Sequence, residues 1–235
     1  MGQKVNPKIQ RIGIIYTWPS RWYAKKKDYT KLIHEDIEMQ KAVMKELKDA
    51  GVAEIEIYRT AGNIAVYIHS TKPGIIIGRQ GENIAELKEK LQKMFGSRFE
   101  ISIKEIKKPD LNAYIVAENI ARQIERRISY RRAAKMTIAK AMENGALGAK
   151  IQVSGRLNGV EIARSEYFSD GKIPLQTFRA DIDYAYVVAK TKFGIIGIKA
   201  WIYKGEIFKR KKSGSLKSKT EKRIEEETTR EFLPI

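Results

Sequence analysis

The feature that most constrains the fold of this chain is a four-residue loop, Gly78-Arg79-Gln80-Gly81, set between two stretches of helical character. An apolar run at residues 75–77 precedes the loop, and residues 82–95 carry apolar side chains at helical spacing. Glycines let a backbone approach another chain closely, and the amide groups that open a helix attract anions. The pattern favours a loop that clamps a phosphate chain over a plain turn between two helices.

The order of elements around this loop makes it specific. Residues 29–50 have helical periodicity, residues 52–58 and 63–69 alternate as two strands joined by a tight turn at 61–62, and residues 99–106 alternate as a third strand. The predicted order is helix, strand, strand, short helix, loop, helix, strand. We therefore expect an α+β domain with a three-stranded sheet and helices on one face.

The second half of the chain predicts a different α+β domain. Lys107-Lys108-Pro109 is the best boundary, since proline disfavours helix in the residue before it. Helical pattern then runs over residues 111–144, followed by strand candidates at 149–154, 160–168, 182–191 and 195–203. We expect four strands packed on two helices.

The long helical pattern is expected to break near Ser129-Tyr130. One unbroken helix would turn Arg127, Arg131 and Lys135 toward its buried face, where unpaired guanidinium groups are strongly unfavourable. Beyond the break, a new register should turn Met136, Ile138 and Met142 to the core and leave the cations exposed. By pattern alone, this basic cluster is either a solvated helix face or an RNA contact.

The charge of the chain points to a polyanionic partner. The formal net charge is +18, divided as +8 over residues 1–108, +6 over 109–208 and +4 over 209–235. A surplus of this size in every region favours nucleic acid first and an anionic membrane second. Seven cations precede the first acidic residue, Asp28. The arm that carries them either lies along phosphates or packs its tryptophans into the core.

The composition disfavours common enzyme chemistry. The chain has no cysteine and only two histidines, so thiol nucleophiles, zinc knuckles and histidine metal clusters have little to be built from. No phosphate loop of the GxxxxGK[ST] type occurs. No apolar run approaches the roughly 20 residues that a bilayer requires. We expect a non-enzymatic, soluble and cytoplasmic chain with no catalytic residue, no metal and no cofactor.

Several motifs carry a family resemblance. The loop and the order of elements around it resemble a type II KH domain. The segments MGQKVNP (1–7), VSGRL (153–157), EIAR (161–164) and RADIDY (179–184), with residues 194–205, resemble the bacterial family of small-subunit ribosomal protein three. The resemblance covers residues 1 to about 208. It implies a basic N-terminal arm at 1–28, a type II KH domain at 29–108 and a C-terminal α+β ribosomal domain at 109–208. After Phe208 the composition turns to Lys, Arg, Ser, Glu and Thr with few apolar residues, which predicts a mobile charged tail at 209–235.

The resemblance also implies a function. Family members sit in the head of the small ribosomal subunit, bind its ribosomal RNA, and with neighbouring proteins line the channel by which messenger RNA (mRNA) enters. The family's channel residues match Arg131, Arg132 and Lys135, which would hold mRNA and help to separate its helices. The implied partners are ribosomal RNA (rRNA), mRNA and neighbouring ribosomal proteins of the head and channel, with no membrane and no small-molecule substrate.

The expected RNA contacts fall into two further groups. The loop residues Gly78, Arg79, Gln80 and Gly81 should contact RNA, although Gln80 departs from the second basic residue that family loops often carry. The expected rRNA contacts are basic side chains of the arm and of both domains: Lys4, Lys8, Arg11, Arg21, Lys25, Lys26, Lys72, Arg156, Arg164 and Arg179. For Arg156, Arg164 and Arg179, pairing with Glu161, Glu166, Asp181 or Asp183 is an equal alternative.

One functional alternative belongs to another class. A free KH-type RNA-binding regulator would have the same basic surface but would not remain with small subunits at high salt. A lyase acting through a lysine amine is a third reading, although no lysine in the sequence stands out for that role.

Overall fold

The computed structural model of the chain describes residues 4–60 and 63–208. The tight turn predicted at 61–62 and the tail predicted at 209–235 lie outside the described residues. Through the first half, the elements in chain order are α1 (Pro7–Gln10), β1 (Ser20–Arg21), α2 (Lys26–Glu46), β2 (Val52–Thr60), β3 (Asn63–Ser70), α3 (Pro73–Ile77), α4 (Glu82–Phe95) and β4 (Arg98–Glu105). A 3₁₀ turn, Arg79–Gly81, joins α3 to α4.

The first sheet has the strand order β1-β2-β3-β4. The pair β2 and β3 is antiparallel, whereas β1 and β4 run parallel to their neighbours. Alternate strand residues such as Ile57 and Val66, which face each other in register, are buried with Met39 of α2 and Leu91 of α4. The helices therefore cover one face of the sheet. This is the predicted α+β arrangement, with β1 of the arm as an additional two-residue edge strand.

The second half continues with α5 (Ala113–Glu125), α6 (Tyr130–Glu143), β5 (Gly148–Gly155), β6 (Arg164–Gly171), β7 (Ala180–Thr191) and β8 (Gly194–Glu206). Short 3₁₀ turns lie at Pro109–Leu111 and Leu157–Gly159. The four strands form an antiparallel sheet in the order β6-β5-β8-β7. Side chains of α5, α6 and the sheet share one core, as predicted for four strands on two helices.

The predicted break in the long helix is confirmed. Helix α5 ends at Glu125 and α6 begins at Tyr130, with Arg127 in the left-handed region at φ 63°. After the break, Ile138 is buried and Met142 packs against the core. The prediction for Met136 was wrong, because this side chain is 40% exposed. The small residues Ala133, Ala134, Thr137 and Ala141 hold α6 against the core, and Met136 lies outside their stripe.

The structure shifts two predicted boundaries. Helix α2 begins at Lys26 and ends at Glu46, so its first turn takes in the last residues of the predicted arm. The strand predicted at 160–168 begins only at Arg164, because a 3₁₀ turn at Leu157–Gly159 and a bend come first. Within the part of the chain that is described, no helix has the length and apolarity needed to cross a bilayer.

The arm joins the two halves of the molecule. Its strand β1 pairs with β2 of the first sheet, while α1 packs against β7 of the second. The hydroxyl of Tyr16 donates a hydrogen bond to Asp181, just beyond the start of β7. A direct contact adds to this link, since Arg122 of α5 donates to the backbone oxygen of Lys48 at 2.6 Å.

Candidate nucleic-acid interface

The glycine loop forms a tight, exposed connection between two helices. Helix α3 ends at Gly78, which has φ 73° and ψ −174°, and Gly81 opens α4 with φ 85°. Between them, Gln80 also has a left-handed backbone at φ 52°. The side chains of Arg79 and Gln80 are exposed. The loop thus presents a cation and an amide at its tip, with little side chain between its backbone and a passing strand.

Asn83 fixes the shape of this loop. Its side-chain amide donates to the backbone oxygen of Ile75 at 3.0 Å, which ties the first turn of α4 to α3. The same side chain fills the space beside Gly78, where an added Cβ would lie 2.5 Å from the Asn83 Cγ atom. An added Cβ on Gly81 would meet nothing within 4 Å. The close approach at Gly78, which sequence patterning does not reveal, comes from Asn83 of α4.

The basic cluster of α6 is exposed. Arg131, Arg132 and Lys135 lie in the first two turns of the helix, while Tyr130, Ala133 and Ala134 turn to the core. The break before α6 makes this division possible, because it resets the helical register immediately before the cations. The structure therefore brings the three residues together on one solvent-facing surface.

Glu166 of β6 is the acidic partner in this cluster. Its carboxylate accepts from Nε and Nη2 of Arg131 at 3.2 and 3.1 Å and from Nε of Arg164 at 3.1 Å. The hydrogen bonds between Arg131 and Glu166 raise the pKa of Arg131 and lower the pKa of Glu166. Tyr130 also contacts both arginines, through its ring face toward Arg131 and its hydroxyl toward Arg164. The carboxylate of Glu166 therefore holds the guanidinium groups of both Arg131 and Arg164 in place.

Arg11 is a correction to the expected RNA contacts. Its side chain is 0% exposed, and its guanidinium donates to four backbone oxygens, of Pro7, Leu175, Thr177 and Ala180. A group enclosed in this way has no surface to offer to RNA. Arg11 instead fastens the arm to the second domain.

The other expected RNA contacts differ in whether their side chains are exposed or paired with acidic residues. Lys4, Arg21, Lys25, Lys26 and Lys72 are exposed. Three are engaged by acids: Lys8 pairs with Asp183 at 2.8 Å, Arg164 with Glu166, and Arg179 with Glu206 at 2.6 Å. Arg156 donates to the backbone oxygens of Val160 and Phe193. Pairing with Glu166, one of the two alternatives, thus accounts for Arg164. Arg179 also pairs with an acid, but its partner is Glu206 rather than any of the four acids expected from the sequence.

The two arm tryptophans behave differently. Trp22 is half-buried against α2, and its indole nitrogen donates to the buried carboxylate of Asp36 at 2.7 Å. Trp18 is 64% exposed. One tryptophan therefore anchors the arm on the first domain, and the other remains available to a partner.

Sequence reasoning missed a second basic group at the other side of the helix break. One cleft is lined by four cations and an aromatic ring, those of Arg127, Arg156, Lys190, Lys192 and Phe193. The only signal in the sequence was the run of Arg126 and Arg127 just before the predicted break. The contribution of the β7–β8 hairpin depends on tertiary packing and has no local signature.

Comparisons with known proteins cover both halves of the chain. A KH-domain family model matches residues 38–111, and a model for the C-terminal domain of ribosomal protein S3 matches residues 120–202. Three curated relatives named small ribosomal subunit protein uS3 illustrate the similarity over most of the chain. That of Vesicomyosocius okutanii is 52% identical over 90% of this chain and 92% of its own length.

The other two relatives agree closely with the first. The protein of Desulfitobacterium hafniense is 50% identical over 90% of this chain and 96% of its own length, and that of Bacillus anthracis is 52% identical over 92% and 98%. The chain belongs to the uS3 family of small ribosomal subunit proteins.

Proposed function

We propose that this chain is a structural, RNA-binding component of the small-subunit head, where it contacts rRNA and neighbouring proteins and lines the channel by which mRNA enters. The observation that carries the proposal is the exposed cluster of Arg131, Arg132 and Lys135 on one face of α6. The membership of the chain in the uS3 family supports its location in the ribosome.

The cluster can hold a single strand without reading its sequence. Three cations on two turns of helix attract phosphates, and Glu166 holds the guanidinium of Arg131 by two hydrogen bonds. Separation of mRNA helices at such a surface requires no nucleotide hydrolysis by this chain, because movement of the ribosome pulls the message. The chain's own task is to bind the strand that has been drawn free.

Contacts to rRNA are supported by the glycine loop and by the spread of charge. Arg79 stands at the tip of a loop whose backbone can approach a sugar-phosphate chain. Exposed lysines and arginines of the arm and both domains extend this surface, and each described domain carries a positive surplus. A component held by RNA on several sides suits a permanent particle better than a free regulator.

The decisive experiment replaces Arg131, Arg132 and Lys135 together by alanine in otherwise intact small subunits. Translation through structured messages should slow much more than translation through unstructured ones, with assembly unchanged. The matched control removes three exposed lysines, Lys41 and Lys45 of α2 and Lys48 in the turn that follows it, with the same loss of charge. Equal slowing on both kinds of message would refute the role in the channel.

A separate measurement tests residence in the particle. The chain should sediment with small subunits through a high-salt gradient. If it were recovered mainly free of subunits, the alternative of an independent KH-type regulator would replace the proposal.

A further inference from the structure

A cleft of about 590 Å³ opens at the break between α5 and α6. Its walls come from three places in the chain: the break itself, the 3₁₀ turn Leu157–Gly159, and the hairpin that joins β7 to β8. Ser129 and Tyr130, which line it, immediately precede Arg131. The cleft is thus next to the basic cluster in the chain but consists of other residues.

The charge of the cleft is strongly unbalanced. Arg127, Arg156, Lys190 and Lys192 line it, and Glu125 is its only acidic lining residue. The Glu125 carboxylate is engaged by the backbone N–H of Lys190 at 3.0 Å. Across residues 4–60 and 63–208, none of the four cations forms an ion pair with an acidic side chain. An anionic occupant would supply the missing counter-charge.

The cleft also has an aromatic wall in a fixed place. The Phe193 side chain is 58% exposed, and its ring rests on Gly159, where an added Cβ would lie 3.0 Å from the ring. Arg156 bridges the two sides, since it donates from Nε to the Val160 oxygen at 3.0 Å and from Nη1 to the Phe193 oxygen at 3.1 Å. The exposed ring is therefore held beside the cations rather than folded into the core.

We propose that this cleft takes one nucleotide of a single-stranded RNA. The phosphate would lie against the guanidinium groups of Arg127 and Arg156, and the base would stack on Phe193. An unpaired base is free to stack on an aromatic side chain, whereas a base in a duplex must first lose its pairing and its stacking. The inference rests on the proposed function, because the strand held by Arg131 would be the one that supplies the nucleotide.

The test uses the purified full-length chain and two probes of equal length, a labelled oligouridylate and an abasic ribose-phosphate oligomer. Phe193→Ala should weaken binding of the oligouridylate by about fivefold or more, the effect of losing one stacked base. Phe193→Tyr keeps the ring and should restore the affinity. Binding of the abasic probe should be the same in all three proteins, because it has no base to stack.

The phosphate side of the cleft is tested by Arg127→Gly. Glycine suits the left-handed backbone at this position, so the variant removes the cation without disturbing the break. It should weaken both probes by the same factor and reduce the slope of log affinity against log salt by about 0.7. Arg126→Ala, which removes an adjacent exposed cation that does not line the cleft, should weaken both probes much less than Arg127→Gly does.

Two results would overturn the inference. One is a Phe193→Ala protein that binds both probes as the unmodified chain does. The other is the loss of this variant from assembled subunits with oligouridylate affinity unchanged, which would assign the cleft to a neighbouring protein. Failure of the channel role is distinguishable from both, because it shows in translation by the α6 variant and not in the base-dependent difference between the probes.

Discussion

Arg11 donates a hydrogen bond from Nε to the backbone oxygen of Ala180 at 2.7 Å, across 169 positions of sequence. The other guanidinium nitrogens reach Pro7, Leu175 and Thr177. Burial lowers the pKa of Arg11, but a guanidinium remains charged at neutral pH. This one side chain thus satisfies carbonyl groups at the entrance to β7 and fastens the arm to the second domain.

Arg11→Ala should lower the free energy of unfolding by about 4 kcal/mol, because it leaves buried carbonyl groups without donors. Arg11→Lys should recover only part of this loss, since an ammonium group cannot match the planar fork of the guanidinium. Chemical denaturation of the purified chain measures both. Arg21→Ala, an exposed arginine of the same arm, is the control and should change stability by less than about 1 kcal/mol. A similar loss in the two alanine variants would contradict the anchoring role.

Arg11 also marks the limit of sequence reasoning. In the sequence it is one of seven cations before the first acid, and nothing distinguishes it from Lys4 or Lys25. Its partners are backbone oxygens, which every residue possesses, so composition cannot reveal the pairing. The distinction arises only when the arm meets β7, and this meeting depends on tertiary contacts.

Local signals did determine much of the rest. The alternation in β2 and β3, the glycines at 78 and 81 and the apolar stripe of α4 each act over a few residues, and the first domain was predicted from them. The helix break was predicted from the energetic penalty of burying Arg127, Arg131 and Lys135. The prediction for Met136 was wrong because it gave side-chain hydrophobicity more weight than side-chain size. The close packing of α6 against the core instead selects alanines.

Asp183 connects the arm, α5 and the second sheet. It is 4% exposed and accepts from the backbone N–H of Ala113 at 2.8 Å and from Lys8 Nζ at 2.8 Å. Burial lowers the pKa of Lys8, but the charge and hydrogen bond of Asp183 outweigh burial and raise it overall. The pair therefore persists through the neutral range and is lost as the pH rises through the raised pKa of Lys8.

Asp183→Asn should destabilise the protein by about 2 kcal/mol. The value is below the range for a fully buried pair, because the Lys8 side chain is 34% exposed and partly solvated. Thermal unfolding measures the change. Asp49→Asn, an exposed site with the same loss of charge, should leave the melting temperature nearly unchanged. If the two variants have the same melting temperature, Asp183 does not connect these elements.

The two glycines of the loop should respond differently to alanine. Gly78 has backbone angles that few other residues adopt, and an added Cβ would strike Asn83, so Gly78→Ala should lower stability by about 2 to 3 kcal/mol. Gly81→Ala meets only left-handed backbone strain and should lower it by about 1 kcal/mol. Equal losses of stability in denaturant titrations would mean that the Asn83 side chain moves away from the added Cβ without destabilising the fold.

The carboxyl group of Glu166 should titrate below its ordinary pKa of 4.5, because hydrogen bonds from Arg131 favour the ionised form. A lowered pKa means that the pair stabilises the fold above the ordinary value and is lost as the pH falls through the lowered one. Carbon-detected NMR titration of the side chain measures the midpoint. In the Arg131→Ala variant the midpoint should rise, and an unmoved midpoint would show that Arg131 is not the cause.

Glu166→Gln should increase the affinity of the chain for single-stranded RNA. The carboxylate competes with phosphate for Arg131 and Arg164, so its neutral analogue leaves both guanidinium groups free for RNA while keeping the side-chain shape. Glu161→Gln makes the same change of charge at an exposed site nearby and controls for net charge. The gain from Glu166→Gln should exceed that of the control, and it should shrink when Arg131 is alanine, since coupled residues are not additive. Equal gains in the two glutamine variants would reduce Glu166 to a contribution to overall charge, whereas a larger, Arg131-dependent gain would identify it as the residue that limits how tightly this basic cluster binds RNA.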